Sequence, residues 1–394
     1  MESKRRILII PSWYPPDGGY FFKEHSESIS NMGYEVDVLV MRVIGIRKLL
    51  QAGISAIKPM KVEDENGLGV ARSVYLKIPG SEKQNIKAWS RKVLKLYASY
   101  QKEYGKPDLI LAHSVTWAGY AASLIRKQYN IPYLIVEHRS FFVWSTPEAR
   151  KMVKPYYLPF FEEAFRNCNT LVPVSGSLMN GLSQLMPWLE EKAVIIPNMI
   201  REDMFLPPEI ARESNPFVFF WAGRLEHVKG IDVLLEAVHL LKQKIKAEFV
   251  VRLAGKGSLR TQLESQAKEL GVNKEVLFLG RITREEMQTE MQGANCFVLP
   301  TRYEAFGAVL IEAMAAGLPV IATRSGGPDT IVTKENGLLI DSNDPSQLAS
   351  AMEQIIASYN SYSSQLIRGS TIAQYGQTAV MKKYHELFIQ ILEQ

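Results

Sequence analysis

Short apolar runs alternate with segments of helical periodicity along the whole chain, and this alternation constrains the fold most strongly. Residues 7–10, 109–112 and 217–222 are examples of such runs. Consecutive apolar residues indicate strands buried on both faces, and strands that alternate with helices form parallel sheets. An irregular, proline-containing stretch over residues 197–216 separates two halves of this kind. The sequence therefore predicts an α/β protein with two doubly wound parallel sheets.

Composition supports two domains and excludes several classes of protein. The chain has 394 residues, of which 46% are hydrophobic, so each half can bury its own core. A net charge of +5 is too small to indicate a nucleic-acid-binding protein. The two cysteines, Cys168 and Cys296, lie in apolar surroundings and predict no disulfide, so we expect a reducing, cytoplasmic location. The apolar start is too short for a signal peptide, and no apolar run reaches the length of a membrane span.

The stretch from residue 295 to residue 317 is the most informative part of the chain. Residues 295–299 form an apolar run that predicts a buried strand, and residues 305–316 have helical spacing. Gly317 stands where a helix C-cap is expected. A strand, a loop and a helix N-terminus in this order form a favourable site for an anion, because free N–H groups and the positive end of the helix point outward.

Two glutamates flank this predicted anion site. Glu304 falls in the loop and Glu312 inside the helix, with Phe306 and Gly307 between them to supply N–H groups. Glutamates at a helix start also occur for dipole reasons alone, so either residue by itself is weak support for a site. The pair could hold sugar hydroxyls on either side of a phosphate.

Two motifs of the second half resemble those of the retaining glycosyltransferases of family 4. The first is Glu304, seven residues, then Glu312. The second is Gly-Arg, four residues, then Lys-Gly, at Gly223, Arg224, Lys229 and Gly230. Without the resemblance, this charged loop would be explained as a solvated surface. The resemblance implies the GT-B architecture, in which two Rossmann-like domains face each other across a cleft. It implies domains at residues 1–197 and 198–371, with a C-terminal helix, about 372–394, returning to the first domain.

The resemblance also implies roles for individual residues. Glu312 would hold the ribose of a nucleotide sugar and Glu304 its sugar, while Arg224 and Lys229 would stabilise the leaving diphosphate. The remaining donor-binding residues would be Gly223, Arg281, Ile282, Ala305, Phe306 and Gly307. No Asp-x-Asp motif occurs in the sequence, and the two cations can replace a metal, so we expect no cofactor and no metal.

In the first half, candidate residues follow three predicted strands. Gly18 and Gly19 lie in the first loop. Taken alone, the glycine pair indicates a plain turn, whereas the resemblance implies a cleft-facing loop of the donor site. His113 ends the strand over 109–112, and we expect it to orient the sugar or the acceptor, although a lone histidine there is often structural. The acceptor would lie near Trp117, Glu137 and His138.

The expected activity is transfer of a sugar, with retained configuration, from a UDP- or GDP-sugar to a glycan or lipid-linked acceptor. Assembly of bacterial surface polysaccharide or lipopolysaccharide fits this chemistry. A sugar-nucleotide epimerase and a non-catalytic binding subunit are the alternatives, whereas a nicotinamide dehydrogenase lacks its G-x-G-x-x-G fingerprint. The basic amphipathic segments 42–61 and 83–106 predict either surface helices or peripheral contact with the inner membrane.

Overall fold

The computed structural model describes residues 4–45, 62–143, 147–210 and 212–393. Within these ranges the chain forms two mainly parallel sheets with helices packed against them, which confirms the predicted fold class. The strands of the first sheet are β1 (Arg6–Pro11), β2 (Glu35–Ile44), β3 (Val62–Glu65), β4 (Leu68–Leu76), β5 (Leu109–His113), β6 (Tyr133–Glu137) and β7 (Thr170–Pro173). Those of the second are β8 (Phe217–Ala222), β9 (Phe249–Ala254), β10 (Val276–Gly280), β11 (Cys296–Leu299), β12 (Val320–Thr323) and β13 (Gly337–Ile340).

The order of the strands in each sheet shows where a ligand is expected to bind. The first sheet has the order β3-β4-β2-β1-β5-β6-β7, with only β3 antiparallel to its neighbour. The second has the order β10-β9-β8-β11-β12-β13, and all its recorded pairings are parallel. In both sheets the chain reverses its direction of winding near the middle, and ligands of such sheets bind at the carboxyl ends of the strands there. Ligand-binding residues are therefore expected directly after β1, β5, β8 and β11.

The helices cover the faces of both sheets. Those packed on the first half are α1 (Tyr20–Asn31), α2 (Glu82–Tyr104), α3 (Tyr120–Tyr129), α4 (Pro147–Met152), α5 (Leu158–Asn167) and α6 (Gly176–Leu185). The others are α7 (Ile231–Lys244), α8 (Arg260–Glu269), α9 (Arg284–Gln292), α10 (Ala308–Ala315), α11 (Pro328–Ile331), α12 (Pro345–Ser358), α13 (Ser364–Tyr375) and α14 (Gln377–Leu392). None of the helices built from described residues is both long and apolar enough to cross a bilayer.

The last helix, α14, lies against the first helix of the chain. Tyr34, just after α1, has its hydroxyl 2.9 Å from Nδ1 of His385 in α14. The ring of Tyr384 lies 4.5 Å from that of His25 in α1. These contacts join the end of the chain to the half that contains its beginning. The expected domain boundaries themselves stay a prediction.

Four details differ from the sequence predictions. Helix α10 begins at Ala308 rather than at residue 305, because Gly307 has φ 96°, a left-handed conformation that starts the helix there. The apolar residues 193–196 also predict a short strand, but none forms there, since Ala193 makes only an isolated bridge to Leu171. The hairpin of β3 and β4 was not predicted, because its short first strand is rich in acidic residues. Of the two basic segments, the second is mostly helix α2, whereas residues 46–61 of the first lie outside the described residues.

Candidate active site

A cavity of about 310 Å³ lies at the carboxyl ends of the strands of the second sheet. Four predicted donor-binding residues line it, namely Gly223, Arg281, Ile282 and Glu312. The first three follow strands β8 and β10, while Glu312 is in α10. Arg284, at the start of α9, lines the same cavity and was not predicted. The structure thus brings together residues separated by almost ninety positions, as expected where parallel strands end at one edge.

Glu312 is a carboxyl group in an unfavourable environment for its charge. Burial raises the pKa of Glu312 to about 7, and the negative charge of Glu24 on α1 adds to this effect. The guanidinium of Arg284 opposes the shift. The carboxyl of Glu312 is therefore only partly ionised near neutral pH, and hydrogen-bond donors from a ligand would favour its charged form.

Lys229 and Glu304, both predicted to act on the donor, form an ion pair. Nζ of Lys229 lies 2.7 Å from Oε2 of Glu304, and both side chains are largely buried. Lys229 ends a short turn of 3₁₀-helix after β8, and Glu304 follows β11, so the central pair of strands positions the two charges. The other oxygen of Glu304 accepts a hydrogen bond from the N–H of Ala305 at 3.2 Å. The result is a fixed cation beside a fixed carboxylate.

The loop that carries Glu304 is held by the loop after β12. The N–H of Glu304 donates to the carbonyl of Ser325, and the N–H of Gly327 donates to the carbonyl of Glu304, both at 2.8 Å. A Cβ atom on Gly327 would lie 2.3 Å from Cα of Phe306, so only glycine allows the two loops to approach. The N–H groups of Phe306 and Gly307 donate no hydrogen bond to any described residue. They remain available to an anion at the start of α10.

Arg224 does not join this cluster. Its guanidinium pairs with Glu226 at 2.9 Å, and its side chain is 73% exposed. The adjacent Gly223 is in the cavity, so Arg224 is close in sequence to the site while its charge points elsewhere. Its expected contact with a diphosphate stays a prediction.

In the first half, His113 lies within a chain of three histidines. Its Nε2 is 3.4 Å from Nδ1 of His25, and its Nδ1 is 3.1 Å from Nε2 of His138. Burial lowers the pKa of His113 well below its usual range and that of each neighbour to about 3, so all three are neutral at pH 7. Both ring nitrogens of the fully buried His113 thus face other imidazoles. Contact of His113 with a sugar stays a prediction. His25, which no motif in the sequence identifies, is its direct partner.

Glu137 and Trp117, predicted to lie near the acceptor, support the local backbone. Oε2 of Glu137 accepts from the N–H of Val115 at 2.7 Å, and Oε1 accepts from the N–H groups of His138 and Arg139, both at 2.9 Å. Trp117 packs edge-on against Trp89, with ring centres 5.5 Å apart. Glu137 ends β6 and Trp117 follows β5, and the contact of either residue with an acceptor stays a prediction.

Gly18 and Gly19 shape the loop between β1 and α1. Their φ angles of 111° and 75° favour glycine, and Gly19 immediately precedes the helix. A Cβ on Gly19 would lie 2.7 Å from the carbonyl oxygen of Trp13. The glycine pair is therefore required by the turn itself, and its role in donor binding stays a prediction.

The two halves contact each other across the site. Oγ of Ser175, the N-cap of α6, donates to the carbonyl of Ala305 at 2.5 Å while it accepts from the N–H of Leu178 at 3.2 Å. Glu24 and Arg284 form an ion pair between α1 and α9. The sequence predicts neither contact between the halves, because nothing in the local pattern relates residues so far apart.

Two family models match the chain. The model described as Glycosyltransferase Family 4 matches residues 19–203, and that described as Glycosyl transferases group 1 matches residues 204–369. An uncharacterized glycosyltransferase of Methanocaldococcus jannaschii is 27% identical over 63% of this chain and 65% of its own length, just under two thirds. A putative teichuronic acid biosynthesis glycosyltransferase of Bacillus subtilis is 26% identical over 88% of each chain.

Solved structures show the same architecture. Sucrose-phosphate synthase of Thermosynechococcus elongatus superposes with a TM-score of 0.80, at 22% identity, over 99% of this chain and 100% of its own. The Anabaena protein HepE, in complex with UDP, gives a TM-score of 0.72 at 17% identity over 98% of this chain and 100% of its own. Together the two family models account for residues 19–369, and the chain belongs to the group 1, family 4 glycosyltransferases, with their GT-B fold.

Proposed function

We propose that the protein transfers a hexosyl group from a nucleoside diphosphate sugar to an acceptor hydroxyl, with retention of configuration. The observation that carries this proposal is the Lys229–Glu304 pair, at 2.7 Å, beside the unbonded N–H groups of Phe306 and Gly307. A cation and two N–H donors suit a diphosphate, and the adjacent carboxylate suits sugar hydroxyls. The cavity with Glu312 then receives the nucleoside.

Each residue acts at a stated part of the donor. The carboxylate of Glu312 accepts hydrogen bonds from the ribose hydroxyls, and that of Glu304 from the hydroxyls of the sugar. Lys229 and the N–H groups of Phe306 and Gly307 stabilise the negative charge that develops on the leaving diphosphate. The bond from the anomeric carbon to the diphosphate breaks, and the acceptor oxygen bonds to the same face of that carbon. The proton of the acceptor hydroxyl passes to the departing phosphate oxygen.

A uridine or guanosine diphosphate sugar is the proposed donor, and a glycan or a lipid-linked sugar the proposed acceptor. The UDP complex of HepE and the teichuronic acid assignment of the Bacillus relative support these classes. Assembly of a surface polysaccharide at the cytoplasmic face of the membrane fits them. Because Lys229 and the loop N–H groups supply the positive charge, we further propose that the reaction requires no metal.

A thermal-shift screen with UDP, GDP, ADP and their sugars tests the donor. A selective nucleotide stabilises the protein it binds, by roughly 3 kcal/mol at a hundredfold excess over Kd. The melting temperature is expected to rise with one base and to stay unchanged with the others. No shift with any nucleotide at millimolar concentration would contradict a donor site. Release of nucleotide only in the presence of acceptor would then exclude an epimerase.

A further inference from the structure

We infer that Arg139 forms a binding site for an anionic group, a carboxylate or a phosphate monoester, on the acceptor sugar. The inference deepens the proposed function and rests on it, because it assigns a chemical class to the acceptor. Arg139 follows β6 directly after His138, at the carboxyl end of the strand and in the half of the molecule opposite Lys229. That position is where parallel sheets bind ligands.

The guanidinium of Arg139 has aromatic neighbours but, among the residues that the structure describes, no hydrogen-bond acceptor. Its Cζ atom lies 5.2 Å from the ring centre of Trp13 and 5.4 Å from that of Phe141. Its Nε atom is buried without a hydrogen-bond partner. Within the described ranges, no side chain forms an ion pair with Arg139 or accepts a hydrogen bond from its guanidinium. The rings stabilise the positive charge through their faces, but they accept no hydrogen bond from the buried Nε–H at its edge.

The nearby acidic groups do not satisfy these N–H donors. Both oxygens of Glu137, the nearest buried carboxylate in sequence, accept from backbone N–H groups. Glu82 pairs with Lys77 at 3.2 Å. Burial raises the pKa of Tyr157, so this phenol is neutral at pH 7. Burial also lowers the pKa of Arg139 itself, yet arginine stays protonated in proteins. A charged donor group therefore lies at the end of β6 without an acceptor among the described residues.

Other arginines of the chain show what such a group normally contacts. Arg302 binds both carboxylate oxygens of Asp232, at 3.0 and 2.7 Å. Arg166, which also lies over a tryptophan ring, at 4.8 Å from the centre of Trp188, pairs with Glu162 at 2.8 Å. Arg139 has the aromatic contact without the carboxylate. A carboxylate or a phosphate would supply the missing acceptors in the same bidentate geometry.

Calorimetry with simple sugars tests the inference without requiring transfer. Methyl glucuronide carries a carboxylate and methyl glucoside does not, while inorganic phosphate presents the other anion. Wild-type protein is expected to bind methyl glucuronide or phosphate at least about tenfold more tightly than methyl glucoside, because a charge-assisted hydrogen bond has about this effect. Arg139→Gln is expected to abolish the preference, and Arg139→Lys to keep only part of it. Arg166→Gln, the matched control, is expected to leave it unchanged.

A second arm separates the acceptor from the donor. UDP and uridine are titrated into wild-type and Arg139→Gln protein, and both affinities are expected to stay the same. If UDP binding weakened while uridine binding did not, Arg139 would bind the donor diphosphate and the acceptor assignment would be overturned. Equal binding of methyl glucuronide and methyl glucoside, with no phosphate binding, would overturn the anion site. Failure of UDP and the other donor nucleotides to bind wild-type protein would instead contradict the proposed function.

Discussion

Glu312→Gln is expected to weaken nucleotide binding and, at the same time, to stabilise the free protein. Both effects have one cause, which is that burial raises the pKa of this carboxyl from 4.5 to about 7. The charged form is poorly solvated in the free protein, but it is the form that accepts hydrogen bonds from ribose hydroxyls best. Glutamine keeps the shape of the side chain and removes its charge.

The effect on stability depends on pH in a defined direction. Because the pKa is higher in the folded than in the unfolded state, ionisation of Glu312 destabilises the folded protein as pH rises from 4.5 through 7. A difference of this size corresponds to about 3 kcal/mol of unfolding free energy above pH 7, at most. Glu312→Gln is thus expected to raise the melting temperature at pH 8 and to have little effect near pH 4. Thermal melts of both proteins over this range measure the difference.

The effect on binding has the opposite sign. With a pKa near 7, the ionised fraction of Glu312 falls roughly tenfold between pH 8 and pH 6, so wild-type affinity should fall by the same factor. The nucleotide phosphate also titrates near pH 6, so the quantity to follow is the ratio of wild-type to Glu312→Gln affinity, in which that titration cancels. Calorimetry should give a ratio of about ten to a hundred at pH 8, as for a charge-assisted hydrogen bond, falling towards one at pH 6. A ratio independent of pH would refute the assigned pKa, and a ratio of one throughout would refute the ribose contact.

Three further predictions concern chemistry, metal and closure. Lys229→Ala should lower turnover at saturating donor by roughly two to three orders of magnitude, as for loss of one preorganised donor. The surface control Lys242→Ala, which removes the Lys242–Glu275 pair, should leave turnover unchanged. Unchanged turnover in Lys229→Ala would exclude the role of Lys229 at the diphosphate. Activity should survive EDTA, and loss of activity that magnesium or manganese restores would show a metal requirement. Saturating donor nucleotide should reduce the radius of gyration in small-angle scattering. Glu24→Gln, which removes the ion pair with Arg284 between the halves, should increase the radius of gyration of the free protein. Identical radii, with binding confirmed by calorimetry, would count against closure.

Most strands and helices could be predicted because each depends on local pattern. A buried parallel strand such as β5 is a continuous apolar run, and the strand-to-helix loop that carries Glu304 follows directly from the run before it. The start of α10 was placed three residues early because Ala305 and Phe306 fit a helical pattern. The left-handed Gly307 and the contact of Phe306 with Gly327, which no local pattern reveals, keep those residues in the loop.

The contacts that set the charge state of the site could not be predicted in this way. The pKa of Glu312 depends on Arg284 and on Glu24, a residue almost three hundred positions away. The neutrality of His113 depends first on burial, which lowers its pKa, and then on His138 and His25, which belong to different elements of the first half. Sequence spacing identifies which residues reach a strand end, but burial and partners depend on how the elements pack, and these decide protonation.

The contact between Ser175 and Ala305 shows how packing between the halves also orients the donor site. In a trans peptide the carbonyl of one residue and the N–H of the next point in opposite directions. Because Ser175 fixes the carbonyl of Ala305 at 2.5 Å, it also fixes the direction of the N–H of Phe306, one of the two unbonded donors beside Lys229. An anion site on the second sheet is therefore oriented by a helix cap on the first. The expected closure of the cleft would then do more than exclude water, since it would also set the direction of one N–H group that the leaving diphosphate requires.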